Sequence, residues 1–267
     1  INRSGDTFRV PDGVLKINPG TFQEFEKNNN NLKKVVFPKD FKIISKSMFK
    51  GCKKILEVEL PTSLESIEED AFYGCEALRL INIPDGLKFL GERAFYRCGS
   101  LETFTLPTQI EDVPDGLLAL CINLKEVNFH PSVKIIGNSA FNGCKHLSSI
   151  DFPVGLESIG SKAFMACDSL KKIATNEGIK IIGDYAFSYC KSLKSATISH
   201  SIQVLGTEIF DYDPLLKEIW IHNGNIDIET FGRFEHLICF HIPRGSKLWH
   251  IIKQEAKDNS FIKMTSI

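Results

Sequence analysis

Residues 182–198, IGDYAFSYCKSLKSATI, decide how this chain is read, because the same pattern returns along most of its length. Phe187 is one of a series, Phe49, Phe72, Phe95, Phe141, Phe164, Phe187 and Phe210, on a 23-residue lattice whose gap is filled by Leu118. Three residues further on the same lattice stand Cys52, Cys75, Cys98, Cys121, Cys144, Cys167 and Cys190. Apolar columns follow, one from Ile55 and Leu78 to Leu216, the next from Val58 to Ile219, a third from Leu60 to Ile221. A fixed internal period of this size is the signature of stacked repeats, and it takes precedence over any local assignment.

Working outward, one unit reads P-x-x-L-x-x-I-G-x-x-A-F-x-x-C-x-x-L-x-x-I-x-I. The part L-x-x-I-x-I-P ends in period-two alternation and a proline, which predicts a short strand with one buried face. The part L-x-x-I-G predicts a second extended piece, with glycine (Gly91, Gly137, Gly160, Gly183, Gly206) turning the chain at positive φ. The spacings of three and four in A-F-x-x-C-x-x-L predict one or two helical turns. No unit buries its apolar residues alone, but stacked units do, since each column meets its own copies. The expected fold is α/β, a horseshoe-like solenoid of about ten coils roughly 45 Å long at ~4.8 Å per strand. Unfolding of such an array is expected to depart from two-state behaviour.

The ends are degenerate. Pro11 to Phe22 aligns with Pro84 to Phe95, and an Asn-rich insertion at Asn28 to Asn31 lengthens that first unit, so residues 1–37 read as an N-terminal repeat or cap. Leu237, Phe240, Ile242 and Pro243 restore the pattern two residues early. The solenoid is thus expected over 1–243 and a C-terminal capping segment over 244–267. Within the latter, Lys247 to Ala256 predicts a helix with Leu248, Ile251 and Ile252 on one face.

The 267 residues carry a net charge of −1, with 43% hydrophobic and 24% charged residues. That balance disfavours a globally basic nucleic-acid binder and a disordered chain. No apolar run reaches the ~18 residues of a membrane span. Sequence signatures of phosphate loops, nucleophile elbows and dinucleotide folds are lacking. In-register cysteines run in a line, so they neither converge on a metal nor face one another for disulfides, and the column reads as a ladder of small buried side chains. Cys239 lies off that ladder at an outward strand position and is the candidate reactive thiol. Asp213 replaces the eighth cysteine and, followed by Pro214, reads as the cap of a helical turn. Of the seven histidines, His222 and His241 fall on neighbouring coils within reach of each other, without metal-ligand spacing. No catalytic residue, metal ligand or cofactor is assigned, and the chain reads as a non-enzyme.

The lattice resembles the BspA-like, or LRR_5, branch of the leucine-rich-repeat family, from about Pro11 to Pro243. One unit departs: Val113 to Leu124 has Pro114 for Gly and Leu117-Leu118 for Ala-Phe, and reads more like an ordinary leucine-rich repeat. The ending RGSKLWHIIKQEAKDNSFIKMTSI is similar to the terminal segment such proteins carry. The resemblance implies a right-handed solenoid with a parallel sheet on one face. It also implies secreted or surface-anchored bacterial proteins, often adhesins. The chain starts at Ile1, so an export signal is not expected within it.

Solenoids display recognition residues on the outward strand positions. Here those positions include Asn82, Thr105, Asn128, Asp151, Thr197, Trp220 and His241, and they are the candidate binding residues. A lysine column, Lys125, Lys171, Lys194 and Lys217, runs beside them. The expected role is a non-catalytic module mediating protein or glycan recognition, including host surfaces. The alternative is a structural spacer or self-associating surface-layer rod.

Overall fold

The computed structural model describes residues 3–28, 32–226, 228 and 231–267, so Asn29 to Asn31 of the Asn-rich insertion lie outside the described residues. The chain winds into a parallel-sheet solenoid. Most coils contribute a longer strand, such as Glu57–Glu59, Thr103–Thr105 or Ser195–Ile198, and a two-residue strand, such as Ser66–Ile67 or Ile181–Ile182. The two series form a long-strand face and a short-strand face. Neighbouring coils pair in parallel one lattice step apart: Val35 with Val58, Ile173 with Ala196, Ile136 with Ile159. The alternation in the sequence forces this register, because a one-residue slip would turn the buried column outward.

The core is the predicted set of columns. Phe49, Phe72, Phe95, Phe141, Phe164, Phe187 and Phe210 are fully buried, as are Cys52, Cys98, Cys121, Cys144, Cys167 and Cys190. The rings stack along the axis, with centroids 5.0 Å apart for Phe49 and Phe72, 5.1 Å for Phe72 and Phe95, and 5.2 Å for Phe141 and Phe164. Phe22 stacks on Phe49 at 4.3 Å, which puts the degenerate first repeat on the same column.

The segment around Phe and Cys is not helical. N–H groups alternate: those of Met48, Lys50 and Cys52 bond to Ser45, Ser47 and Phe49 in their own coil, whereas those of Ser47, Phe49 and Gly51 bond to Glu69, Ala71 and Tyr73 in the next. The residues two before and two after each Phe take positive φ, among them Ser47 (57°), Asp70 (55°), Arg97 (59°), Leu120 (60°) and Ala166 (58°). A helix would consume every N–H within the coil. The left-handed residues turn every second N–H towards the neighbour, and those hydrogen bonds offset a backbone cost of ~1 kcal/mol or more at each non-glycine position. The unit with Pro114 and Leu117-Leu118 follows the same path, with Gly116 at φ 63° and Leu118 buried in the Phe column.

The lattice glycines correct the second expectation. Gly91, Gly137, Gly160, Gly183 and Gly206 are absent from the residues at positive φ. They are needed because coils approach closely there. A Cβ on Gly91 would lie 2.3 Å from the Glu69 nitrogen, and one on Gly183 would lie 2.5 Å from the Ser161 nitrogen. Just past them, side chains bond between coils: Asp115 Oδ1 accepts from the Asn138 N–H at 2.7 Å, and Asn138 Oδ1 from the Ser161 N–H at 2.9 Å.

The first coil contains a true helix, α1 (Thr21–Asn28), and a hairpin strand, Arg3–Ser4, antiparallel to Thr7–Arg9. At the other end α2 spans Lys247–Asp258, with Leu248 and Ile252 buried and Ser246 Oγ accepting from the Trp249 N–H. Beyond it, Ile262–Ser266 forms a strand parallel to Ile238–Ile242 and so extends the long-strand face, a strand the sequence reading left unassigned.

Candidate functional site

The outward residues of the long-strand face divide into three groups. Asn82, Thr105, Asn128 and Asp151 are exposed. Thr105 and Asn128 are register partners, and Asn128 Nδ2 donates to Thr105 Oγ1 at 3.5 Å. Asn82 and Asp151 do not lie on strands: the strand before Asn82 ends at Ile81, and residues 147–153 form none.

The third group lies at the C-terminal end, where five strands stay paired. Thr197 faces Trp220, Trp220 faces His241, and His241 faces Thr265 in one line across the sheet. The three predicted members are half-buried. The His241 ring lies flat on the Trp220 indole, with centroids 3.6 Å apart and planes 8° off parallel. Thr265 Oγ1 is 2.5 Å from His241 Nδ1. His241 Nε2 is buried and has no hydrogen-bond partner among the described residues. Ring stacking fixes the imidazole plane, and the threonine fixes its rotation. Thr265 was missed from sequence because the segment had left the repeat; its signal is the alternation in Ile262, Met264 and their neighbours. His222 does not meet His241. It stacks on His200 at 4.9 Å, because the strand register sets His241 opposite Trp220.

Lysines border this end. Lys125 pairs with Glu102 at 2.8 Å. Lys171, Lys194 and Lys217 are exposed on successive coils and form no ion pair among the described residues. The site therefore combines an aromatic platform with locally positive charge.

Among the described residues no group of three His, Cys, Asp or Glu side chains, the cysteine column included, is placed to hold a metal ion. The thiols from Cys75 to Cys190 point to the preceding coil. Cys75 Sγ donates to the Phe49 carbonyl at 3.1 Å, Cys98 to Phe72 at 3.2 Å and Cys144 to Leu118 at 3.2 Å. Burial raises the pKa of every thiol on this column, Cys98 and Cys121 among them. Cys239 is only half-buried. Asp213 is not a helical cap. Its Oδ1 accepts the Cys190 N–H of the preceding coil at 2.7 Å, and its Oδ2 is buried without a hydrogen-bond partner among the described residues. Burial pushes its carboxyl up to about 9, so it is protonated at neutral pH. A hollow of about 280 Å³ lies beside it, lined by Tyr189, Tyr212, Arg233 and His236 among others.

Coils of paired parallel strands around columns of Phe, Cys and Leu define a leucine-rich-repeat solenoid. A family model described as "BspA type Leucine rich repeat region (6 copies)" matches residues 16–148 and 112–237, and the chain belongs to that family. It is similar in fold to a leucine rich cell surface protein of Faecalibacterium prausnitzii, at 21% identity and TM-score 0.62, covering 97% of this chain and 88% of that one. The pneumococcal vaccine antigen PcpA is similar at 18% identity and TM-score 0.54, covering 88% of this chain and 68% of that one. A leucine-rich repeat protein of Eubacterium ventriosum is similar at 15% identity and TM-score 0.51, covering 99% of this chain and 79% of that one. No curated protein matches the chain significantly. Among the described residues no helix is long and apolar enough to cross a membrane.

Proposed function

We propose that this protein is a non-catalytic recognition module, secreted or displayed on a bacterial surface, that binds a protein or glycan partner, host surfaces included, through its long-strand face. The observation that carries the reading is the flat Trp220–His241 stack, a half-buried aromatic pair held in place by its neighbours, with one imidazole nitrogen lacking a partner among the described residues. Preorganised aromatic groups of this kind anchor interfaces at low entropic cost. The exposed Lys171, Lys194 and Lys217 favour an acidic partner and a faster encounter at low salt. Asn82, Thr105, Asn128, Asp151 and Thr197 supply hydrogen-bonding groups along the same face.

In this reading residues 1–243 form the binding solenoid, with 1–37 its degenerate first repeat, and residues 244–267 cover the last coil. The test is a glycan and host-protein array probed with the whole chain and with a Trp220→Ala, Asp151→Ala, Asn128→Ala variant. Hits lost by the folded variant support the face. Hits it retains in full overturn it.

A further inference from the structure

The short-strand face carries a second rhythm, twice as long as the repeat. Along one column stand Lys42, Glu65, Lys88, Glu111, Lys134, Glu157, Lys180 and Gln203. The next residue in each coil is Ile43, Ser66, Phe89, Asp112, Ile135, Ser158, Ile181 and Val204. From Lys42 to Ile181 every lysine coil carries a bulky apolar residue and every glutamate coil a short polar one. Ile43, Phe89, Ile135 and Ile181 are more than two-fifths exposed, whereas Ser66 and Ser158 are recessed between them.

Pairing within the chain explains the charges. Glu65 lies 2.9 Å from Lys42 and 3.0 Å from Lys88, which pulls its carboxyl down to about 2, and Glu157 lies 2.7 Å from Lys180. It does not explain the adjoining column, whose bulky and short members alternate as register partners of the short strands. That column is a row of knobs and notches whose pitch is two coils, about 10 Å at the ~4.8 Å strand spacing.

We propose that this face pairs with the same face of a second copy, the two solenoids antiparallel about a twofold axis midway between Asp112 and Ile135. A twofold lying in the face and perpendicular to the solenoid axis maps each column onto itself and reverses the coil order. Glu65 then meets Lys180 of the other copy, Lys88 meets Glu157, and Glu111 meets Lys134. By the same operation Ser66 receives Ile181, Ser158 receives Phe89, and Asp112 adjoins Ile135. Opposite charges and complementary shapes coincide on either side of the axis, where lysine goes with bulk and Glu65 and Glu157 go with a recessed serine; at the axis Asp112 is exposed and only the charges match. The arrangement uses a different face from the Trp220 stripe and does not depend on that reading.

Eight coils by two columns cover roughly 250 Å² per copy at the usual strand dimensions, about a third of a standard interface, so the pairing is weak and requires high local concentration. Sedimentation velocity of the whole chain from about 10 to 500 μM reads it. A concentration-dependent dimer is expected, weakened at least tenfold in an Ile135→Ser, Ile181→Ser variant whose far-UV spectrum is unchanged. Oxidative cross-linking in a Cys239→Ser background reads the geometry. Ser66→Cys copies mixed with Ile181→Cys copies are expected to form a disulfide-linked dimer, and Ser66→Cys copies alone are not. A chain that stays monomeric, a dimer indifferent to the serine substitutions, or equal cross-linking of Ser66→Cys alone overturns the proposal.

Discussion

The Phe72 carbonyl accepts two hydrogen bonds, one from the Cys75 N–H of its own coil at 3.1 Å and one from the Cys98 thiol of the next at 3.2 Å. The second bond explains a cysteine at this position rather than another small apolar residue. Alanine would fill less of the column and would leave that carbonyl without its second donor.

The thiols on this column are predicted to be inert in the native state. A thiol reagent added to the folded chain is expected to modify Cys239 within minutes, and the other seven cysteines only at the rate of unfolding. The measurement is mass spectrometry after timed labelling, with and without denaturant.

The phenylalanine column is predicted to carry a large share of the stability. Phe141→Ala or Phe164→Ala opens a cavity beside a stacked ring and is expected to cost about 3–5 kcal/mol. An unshifted chemical-denaturation midpoint would contradict the assignment of these rings to the core.

Asp213 introduces a pH dependence. Its folded pKa, about 9, lies above the ordinary carboxylate value, so its contribution is greatest in acid, and stability is lost as pH rises from about 4 towards 9. Asparagine retains the acceptor for the Cys190 N–H and cannot ionise. Asp213→Asn is therefore expected to raise stability at pH 8 by roughly 1–3 kcal/mol while leaving it almost unchanged at pH 4. Denaturation curves at the two pH values check the sign.

Glycines in the two kinds of position are expected to behave differently. Gly51 has open space around it but sits at φ 77°, so Gly51→Ala meets backbone strain alone, about 1 kcal/mol. Gly183→Ala drives a methyl into the Ser161 backbone 2.5 Å away and is expected to cost about 3 kcal/mol or more. Paired melting curves distinguish the two mechanisms.

The columns were legible in the sequence because burial leaves a period that residue types cannot hide. Phe22 could even be placed on its column through a degenerate repeat. The path between columns was not legible: spacings of three and four fit a helix and a chain of turns equally, and the choice was made by hydrogen bonds to the next coil. The lattice glycines misled for a similar reason, since the crowding that requires them comes from a neighbour 22 residues away, Glu69 for Gly91 and Ser161 for Gly183. At the candidate site, Trp220 and His241 were legible as neighbours, but Thr265 was not. Its strand belongs to no repeat, follows α2 in the chain and pairs with Ile238–Ile242 at the sheet edge.

Leu118 leaves a seam in this otherwise regular rod. The ring stack stops at Phe95, which instead meets Phe104 edge-on, and resumes at Phe141, which meets Phe129 edge-on. The pairing of long strands breaks on both sides of the same region, so that Thr103–Thr105 and Glu126–Asn128 pair only with each other. Force or heat applied along the axis should therefore part the molecule into an N-terminal and a C-terminal block, each melting as its own cooperative unit, with the break falling between the rings of Phe95 and Phe141.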